Sequence, residues 1–413
     1  MIVDVELLEI KRRGNHLLTA LTKTGKMLCL GLNYRKETLM ILRDKEEFIC
    51  PICQETVILK LGDHRIFHFA HKQDSNCREF YERETYEHLE GKRQIFQWLT
   101  QQNIPCVLEY YDRTIQQRPD IMFKYKGQRF ALEFQCSSLP DNVFRKRTST
   151  YLENGYTPLW VMSSRHLHQR RNDLISLSDF HYSFLRSSSN GKLYIPAYCP
   201  KKQLFQLVES ITPFSIKNSF AHLSGLSIQT AELTTILEPK NDHCVSQESW
   251  IREMEKYIFN WALHPKTEYR PFLQEVYNQG LNTFLLPPEI GLPVTHSVLI
   301  QTPPFIWQTY LFIDVLANKN PRELISLRDI NSSYQKRVNR KQIILRDLPQ
   351  IHNLNPIYAM IEYLQVLEKL NYLRKKGDMI FEVQKKILIP RSNREREEAK
   401  GIFLDQNKNI IFN

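Results

Sequence analysis

The chain has 413 residues, 42% of them apolar and 11% aromatic, which excludes a disordered polypeptide and predicts two or three packed domains. Lys and Arg number 56 against 45 Asp and Glu, and the net charge of +11 fits a polyanionic partner, nucleic acid before a membrane surface. No apolar run reaches the roughly eighteen residues of a membrane span, and MIVDVELLEIKRR lacks the pattern of a signal peptide, so no membrane insertion and a cytoplasmic location are expected.

Residues 17–32 read as two strands around a Lys-Thr-Gly-Lys turn. Residues 50–77 follow with a cysteine and histidine cluster. The eight Cys are otherwise scattered, which argues against a disulfide framework. Cys50-Pro-Ile-Cys53 is a tight C-x₂-C pair, and His68, His71 and Cys77 come after a strand-like VILKL segment. Zinc takes four N or S ligands in a tetrahedron. Strand geometry turns His68 and His71 to opposite faces, so the expected set is Cys50, Cys53, His71 and Cys77, with His68 as the alternative. A closed four-ligand site is structural, and it would present the basic turn around Arg65 to DNA. The cluster lacks the helical H-E-x-x-H arrangement, which speaks against a zinc hydrolase.

Residues 82–102 read as an amphipathic helix whose apolar set is Leu89, Ile95, Phe96 and Leu99. Glu84, His88 and Lys92 recur every four residues and share a face. Strands are expected at about 106–111, 119–125 and 128–136, the last two joined by a turn at Lys126-Gly127. A basic helix spans 141–154, capped by Asp141 or Asn142, and TPLWVM at 157–162 is a further strand. Helix, three strands, helix, strand is an α/β sandwich pattern. Residues 164–245 are mixed and less legible. Beyond them the chain turns mainly helical, with helices at 303–318, 322–337 and 356–372 and then a strand-turn-strand around Gly377. Helices followed by a small hairpin resemble a winged helix, with Arg337, Arg340, Lys341 and Arg374 to Lys376 as its basic groups. Residues 391–400 are mixed in charge and read as solvated helix or tail. No fixed-period repeat and no Walker-type phosphate loop is found.

The run from Phe130 to Cys136 carries the chemistry. Phe130, Leu132 and Phe134 point one way; Ala131, Glu133 and Gln135 point the other. Pairing through the Lys-Gly turn brings Asp120, after Pro119, close to Glu133. Two carboxylates beside a basic surface suit Mg²⁺ or Mn²⁺, which takes oxygen ligands and supports phosphodiester hydrolysis. Arg145, Lys146 and Arg147 on the following helix would hold phosphates, with Arg147 preferred, and His88 joins them as a DNA-facing residue.

P-D, twelve residues, then E-x-Q within an apolar strand resembles the PD-(D/E)XK nuclease pattern. That fold commonly contributes a first-helix Glu, for which Glu84 is the best match and Glu87 the runner-up. CPIC at 50–53, HFAH at 68–71, Cys77, ERETYEHLEGK at 82–92, QRPDI at 117–121 and ALEFQCS at 131–137 together resemble the competence protein CoiA family. The resemblance covers about residues 17–165 strongly and implies an association with genetic transformation. It also implies action on incoming DNA, single-stranded or in branched recombination intermediates, alongside recombination proteins. One departure stands out: Gln135 occupies the usual Lys position, so it can orient water but brings no charge, and Lys92 is the candidate to supply it.

The expected architecture is therefore α/β. A PD-(D/E)XK restriction-endonuclease-like core at 81–165 follows a β-rich, zinc-ribbon-like module at 1–80. A mixed region at 166–245 leads to a mainly helical domain at 246–413. The expected activity is that of a Mg²⁺- or Mn²⁺-dependent deoxyribonuclease; the alternative is a catalytically weak DNA-binding adaptor.

Overall fold

The computed structural model describes residues 16–63, 65–72, 77, 85–171, 173–240, 245–264, 267–377 and 380–412. They fall into two compact units. The first takes the described residues up to His166 together with Ile195–Leu207 and Ser224–Pro239; the second takes Leu167–Tyr194, Val208–Leu223 and the residues from Lys240 onward.

In the first unit, an antiparallel sheet of six short strands comes first. These are β1 His16–Leu17, β2 Thr19–Thr22, β3 Met27–Cys29, β4 Phe48–Ile49, β5 Thr56–Lys60 and β6 His68–His71, in the order β1-β6-β5-β4-β2-β3. Gly25 at φ +82° closes the β2–β3 hairpin, where the sequence places its turn. The sequence reading did not anticipate the break at Leu18, which separates β1 from β2, nor the helix α1 Lys36–Lys45.

The core sheet of this unit runs β7 Cys106–Leu108, β8 Ile121–Tyr125, β9 Gln128–Gln135 and β10 Tyr156–Ser163, lying side by side in that order. Strands β7, β8 and β9 are antiparallel to their neighbours, and β10 is parallel to β9. Lys126 (φ +46°) and Gly127 (φ +81°) form the two-residue turn between β8 and β9, and both φ values have the sign a hairpin-compatible turn requires. Strand β9 is buried on both faces, as expected of a central strand with a parallel neighbour.

Each face of β9 meets a helix. Helix α2, Tyr86–Gln101, starts at Thr85, whose hydroxyl accepts the His88 N–H at 3.2 Å. It packs on the Phe134 side. A Cβ on Gly91 would stand 2.0 Å from the Phe134 ring, so the glycine in the middle of this helix is there to let the ring in. The apolar residues Leu89, Ile95, Phe96 and Leu99 are buried as their spacing predicts, but so are the polar residues His88, Lys92 and Gln94. Gln94 accepts from Tyr198, and Trp98 donates to Ala231 O at 2.8 Å and packs on Phe205. Helix α3, Asp141–Glu153, covers the other side, with Tyr151 against Ala131 and Phe144 stacked on Trp160 at 4.1 Å. Its N-cap is Pro140, not Asp141 or Asn142; the Asn142 side chain accepts the Val143 N–H instead. The helix–three-strand–helix–strand order expected from the sequence is thus observed.

The region that was hard to read holds three strands, Leu193–Cys199, Leu204–Pro213 and Asn218–Ser227, each divided between the two units. In the second unit, the helix Pro304–Leu311 continues through a π-helical turn at Phe312–Leu316. A strand at Leu324–Ser326 leads into the helix Leu327–Asn339, whose start is fixed by a Ser326–Asp329 capping box. The helix Ile357–Lys369 and the hairpin Leu373–Gly377 and Ile380–Val383 complete the pattern, and the three strands form a sheet in which Ile380–Val383 is central. The mixed-charge segment becomes the helix Asn393–Ile411. Trp307, Phe312, Ala359, Tyr363 and Leu364 lie at the centre of this unit's core.

Candidate active site and metal centre

The β8–β9 register pairs Ile121 with Leu132. Asp120 and Glu133 are therefore the next facing positions, at the mouth of the hairpin ladder. Asp120 Oδ2 accepts the Phe134 N–H at 2.9 Å and meets His88 Nε2 at 3.0 Å; Oδ1 faces Lys92 Nζ at 3.5 Å. Burial pushes the Asp120 carboxyl up, but the charges of His88 and Lys92 and these hydrogen bonds more than reverse it, holding it below the usual carboxylate range.

Glu133 turns towards α3. Its Oε1 accepts from the Arg147 guanidinium and from the Tyr151 hydroxyl, while Oε2 is the oxygen that neither donor takes. Burial raises the Glu133 carboxyl; Arg147 opposes the rise and the neighbouring Asp120 charge adds to it, leaving it above its ordinary value. Burial likewise pushes the Tyr151 phenol up, and the Glu133 charge adds to this, so Tyr151 stays a donor. Arg147 is itself held above its ordinary value, since the Glu133 charge outweighs its own burial. Gln135, the last residue of β9, donates from Nε2 to Ser137 O at 2.8 Å.

Lys92 is fully buried, with Nζ 2.6 Å from Glu109 Oε1. The sequence offered no reason to single out Glu109. It follows the end of β7, and its φ of +49° turns the chain out of the strand. Its Oε2 accepts the N–H groups of Leu18 and Thr19 at 2.8 and 3.1 Å and the Thr19 hydroxyl at 3.2 Å. The break between β1 and β2 is therefore filled by a carboxylate from the core, which ties the N-terminal sheet to the site through Lys92. Burial raises the Glu109 carboxyl, yet Lys92 and Arg118 hold it below the ordinary range.

His88, buried, and Arg147, part-buried, both read from the sequence as phosphate contacts, are thus turned onto Asp120 and Glu133, buried carboxylates that need a counter-charge. Arg145 is exposed on α3. Glu84 lies outside the described residues. Its runner-up, Glu87, accepts from the Ser163 hydroxyl and pairs with Arg165 at 2.8 Å. Arg165 and His166 both donate to Cys136 O, at the C-terminal end of β9.

The second site is in the N-terminal sheet. One ligand atom each from Cys50, Cys53, His71 and Cys77 lie within 4.8 Å of one another. Cys53 Sγ stands 3.4 Å from His71 Nε2, against about 3.5 Å for an S···N edge of a tetrahedral zinc site with bonds of about 2.3 and 2.0–2.1 Å. The Ile52 N–H points at Cys50 Sγ (3.4 Å), and Gln54 at φ +62° closes the knuckle. Burial lowers the His71 imidazole, which favours the neutral ring a metal requires, and raises the Cys50 thiol, so metal binding would release a proton there. His68 is not among the four: no ring nitrogen of it joins the cluster, its Nδ1 is bonded to Ile66 O at 2.8 Å and its ring packs on His16. The four residues could hold a structural metal such as zinc.

Three family models match successive parts of the chain: the N-terminal domain of competence protein CoiA over residues 32–80, its nuclease-like domain over 84–241 and its C-terminal domain over 245–396. A mixed α/β protein with a nuclease-like domain and a Cys₃His cluster is the class these features define. Competence protein CoiA of Bacillus subtilis (strain 168) is 29% identical over 332 residues, covering 80% of this chain and 88% of that protein. The chain belongs to the CoiA family, and a competence-associated role follows. No solved structure matches it. Among the described residues, no helix is long and apolar enough to cross a membrane.

Proposed function

We propose that the protein is a cytoplasmic, metal-dependent DNA nuclease of the PD-(D/E)XK type, in an E-x-Q variant, that processes incoming DNA during natural transformation and promotes its recombination. The observation that carries the reading is the placing of Asp120 and Glu133 at facing positions of one hairpin, with Asp120 held ionised. The β7-β8-β9-β10 sheet between α2 and α3 supports it, as does the nuclease-like family match.

The donor chemistry fits a hard divalent cation: Asp120 Oδ1 and Glu133 Oε2 are the carboxylate oxygens not taken by hydrogen bonds from Phe134 and His88 or from Arg147 and Tyr151. Asp120 and Glu133 would hold Mg²⁺ or Mn²⁺, which when bound supplies a water of lowered pKa and charge stabilisation at the phosphate. His88 and Lys92 keep Asp120 ionised and fix its orientation. Tyr151 and Arg147 orient Glu133, and Arg147 brings a guanidinium to where phosphate charge would arrive. Gln135 orients the attacking water. Lys92 acts as a positioning residue: Glu109 balances its charge, so it does not replace the missing E-x-K lysine in full. Glu84 would support the cation, and Arg145 would contact the backbone of single-stranded or branched DNA. The Cys₃His cluster would hold zinc in a structural role.

Gln135 keeps a second reading in view, that of a catalytically weak adaptor assisting recombination proteins on single-stranded DNA. Assays of labelled single-stranded, duplex and branched DNA with Mn²⁺ separate the two. Cleavage lost in Asp120→Asn and Glu133→Gln with binding retained supports the nuclease; binding without cleavage by the parent protein supports the adaptor.

A further inference from the structure

We propose that the second compact unit carries a phosphate-binding wing for nucleic acid, built on the hairpin Leu373–Gly377 and Ile380–Val383. The elements leading to it run helix, strand, helix, helix, strand, strand, and the first strand, Leu324–Ser326, pairs with the last. This is the arrangement of a winged helix, with Ile357–Lys369 as the helix before the wing.

The charge lies on the hairpin and not on that helix. Leu373 is buried and anchors the strand, while Arg374, Lys375 and Lys376 are all exposed. Arg374 and Lys375, successive strand residues, face opposite ways and Lys376 sits at an irregularity of the ladder, so cations line both faces of an edge strand. The Lys375 N–H donates to Glu368 at 2.8 Å, which fixes the hairpin to the helix by its backbone and leaves the side chain exposed. Glu382 faces Arg374 across the ladder and pairs with Lys376 at 2.7 Å. Among the described residues of the hairpin one carboxylate thus stands against three cations, and between 368 and 386 the chain has six basic residues against three acidic ones, Glu368, Asp378 and Glu382.

The helix Ile357–Lys369 has Lys369 as its one basic residue, and its Glu362 accepts the N–H groups of Thr295 and His296. Arg337, which the sequence reading counted among the DNA-facing groups, is 3% exposed and clamped by Asp314 and Glu275. The contact the wing offers is one to phosphates, without base readout. A ribbon charged on both faces suits a groove or a wrapped strand better than a flat anionic lipid surface, which would call for cations and apolar groups sorted to opposite sides.

The inference does not rest on the nuclease reading, because binding is measured without cleavage. Full-length protein is titrated, without added divalent metal, into labelled duplex and single-stranded DNA over a range of salt. Two triple variants of equal charge loss are compared: Arg374→Ala/Lys375→Ala/Lys376→Ala on the wing, and Arg391→Ala/Arg394→Ala/Lys408→Ala on the last helix and the residues just before it. The wing variant should bind at least about tenfold more weakly at moderate salt, with the slope of log K against log salt shallower by about two to three on duplex DNA. The control should bind like the parent, and melting temperatures should be unchanged. The proposal is overturned if the wing variant binds like the parent, or if the control loses as much. It is equally overturned if only phosphatidylserine vesicle binding is lost, or if the sole effect is self-association, which would make the lysines guards of an exposed edge.

Discussion

Replacing Lys92 by Met removes the ammonium that lies between the carboxylates of Glu109 and Asp120. Lys92 has no solvent exposure, its Nζ is 2.6 Å from Glu109 and 3.5 Å from Asp120, and Glu109 is itself buried. Breaking a buried ion pair from one side leaves the other charge uncompensated and costs about 3–5 kcal/mol. That is a large part of a typical folding free energy of about 5–15 kcal/mol. The sign of the pH dependence follows from Glu109, whose folded pKa lies below its ordinary value. A group so depressed contributes stability above its unfolded pKa, about 4.3, and loses it as the pH falls. Without Lys92, burial would be opposed by Arg118 and the backbone hydrogen bonds, and much of that contribution would be lost. The cost of Lys92→Met should therefore be largest near neutral pH and shrink towards about pH 4, where the unfolded state also takes up the proton. Urea unfolding followed by tryptophan fluorescence, at neutral and mildly acidic pH, reads both quantities. Adding Glu109→Gln to Lys92→Met should recover part of the loss by removing the stranded charge. A cost under about 1 kcal/mol, or one equal at both pH values, would refute the network as drawn.

Gly91→Ala should destabilise by about 3 kcal/mol or more, the upper end of overpacking, because the new Cβ meets the Phe134 ring at 2.0 Å and the helix-propensity gain of about 1 kcal/mol cannot offset it. Thermal melting checks this, and Phe134→Leu in the same chain should restore part of the loss. Metal analysis of protein purified without chelator should give about one zinc per chain. Cys53→Ser and His71→Ala should lower that content and His68→Asn should not, since His68 is bonded to Ile66 O and lies outside the cluster; equal loss in His68→Asn would contradict the ligand set. Tyr151→Phe removes one donor from Glu133 and should cost about 1–3 kcal/mol in stability while leaving the fold intact, as circular dichroism and melting would show.

The core was legible because short-range chemistry decides it. The alternation from Phe130 to Gln135, the Lys126-Gly127 turn and the spacing from Asp120 to Glu133 all survive as β8, β9 and their register. The cysteines of the Cys50, Cys53, His71 and Cys77 set were legible from ligand type and spacing, but strand alternation shows only that one of His68 and His71 can join them, and it is the fold that brings His71 there. What was not legible depends on tertiary partners. The burial of the polar helix residues His88, Lys92 and Gln94 cannot be read until Asp120, Glu109 and Tyr198 are placed against them. Glu109 follows an ordinary strand and gains its role only by meeting Leu18 and Thr19, about ninety positions away. Arg147 looks like a phosphate ligand on a basic helix, yet Glu133 lies under it. The strands between 193 and 227 pair in succession, but Leu193–Cys199 is buried almost throughout and Asn218–Ser227 is half-buried along most of its length, so neither shows the alternation by which a strand is read.

The central claim is that Asp120 and Glu133 form a cation-dependent site for cutting DNA. The most direct measurement compares the parent with Asp120→Asn on labelled DNA, with and without Mn²⁺, following cleavage and binding in the same samples. The account predicts cleavage by the parent only with the metal, none by Asp120→Asn, and similar binding by both. Mn²⁺-dependent cleavage that survives in Asp120→Asn, or its absence from the parent on every DNA form, would contradict it.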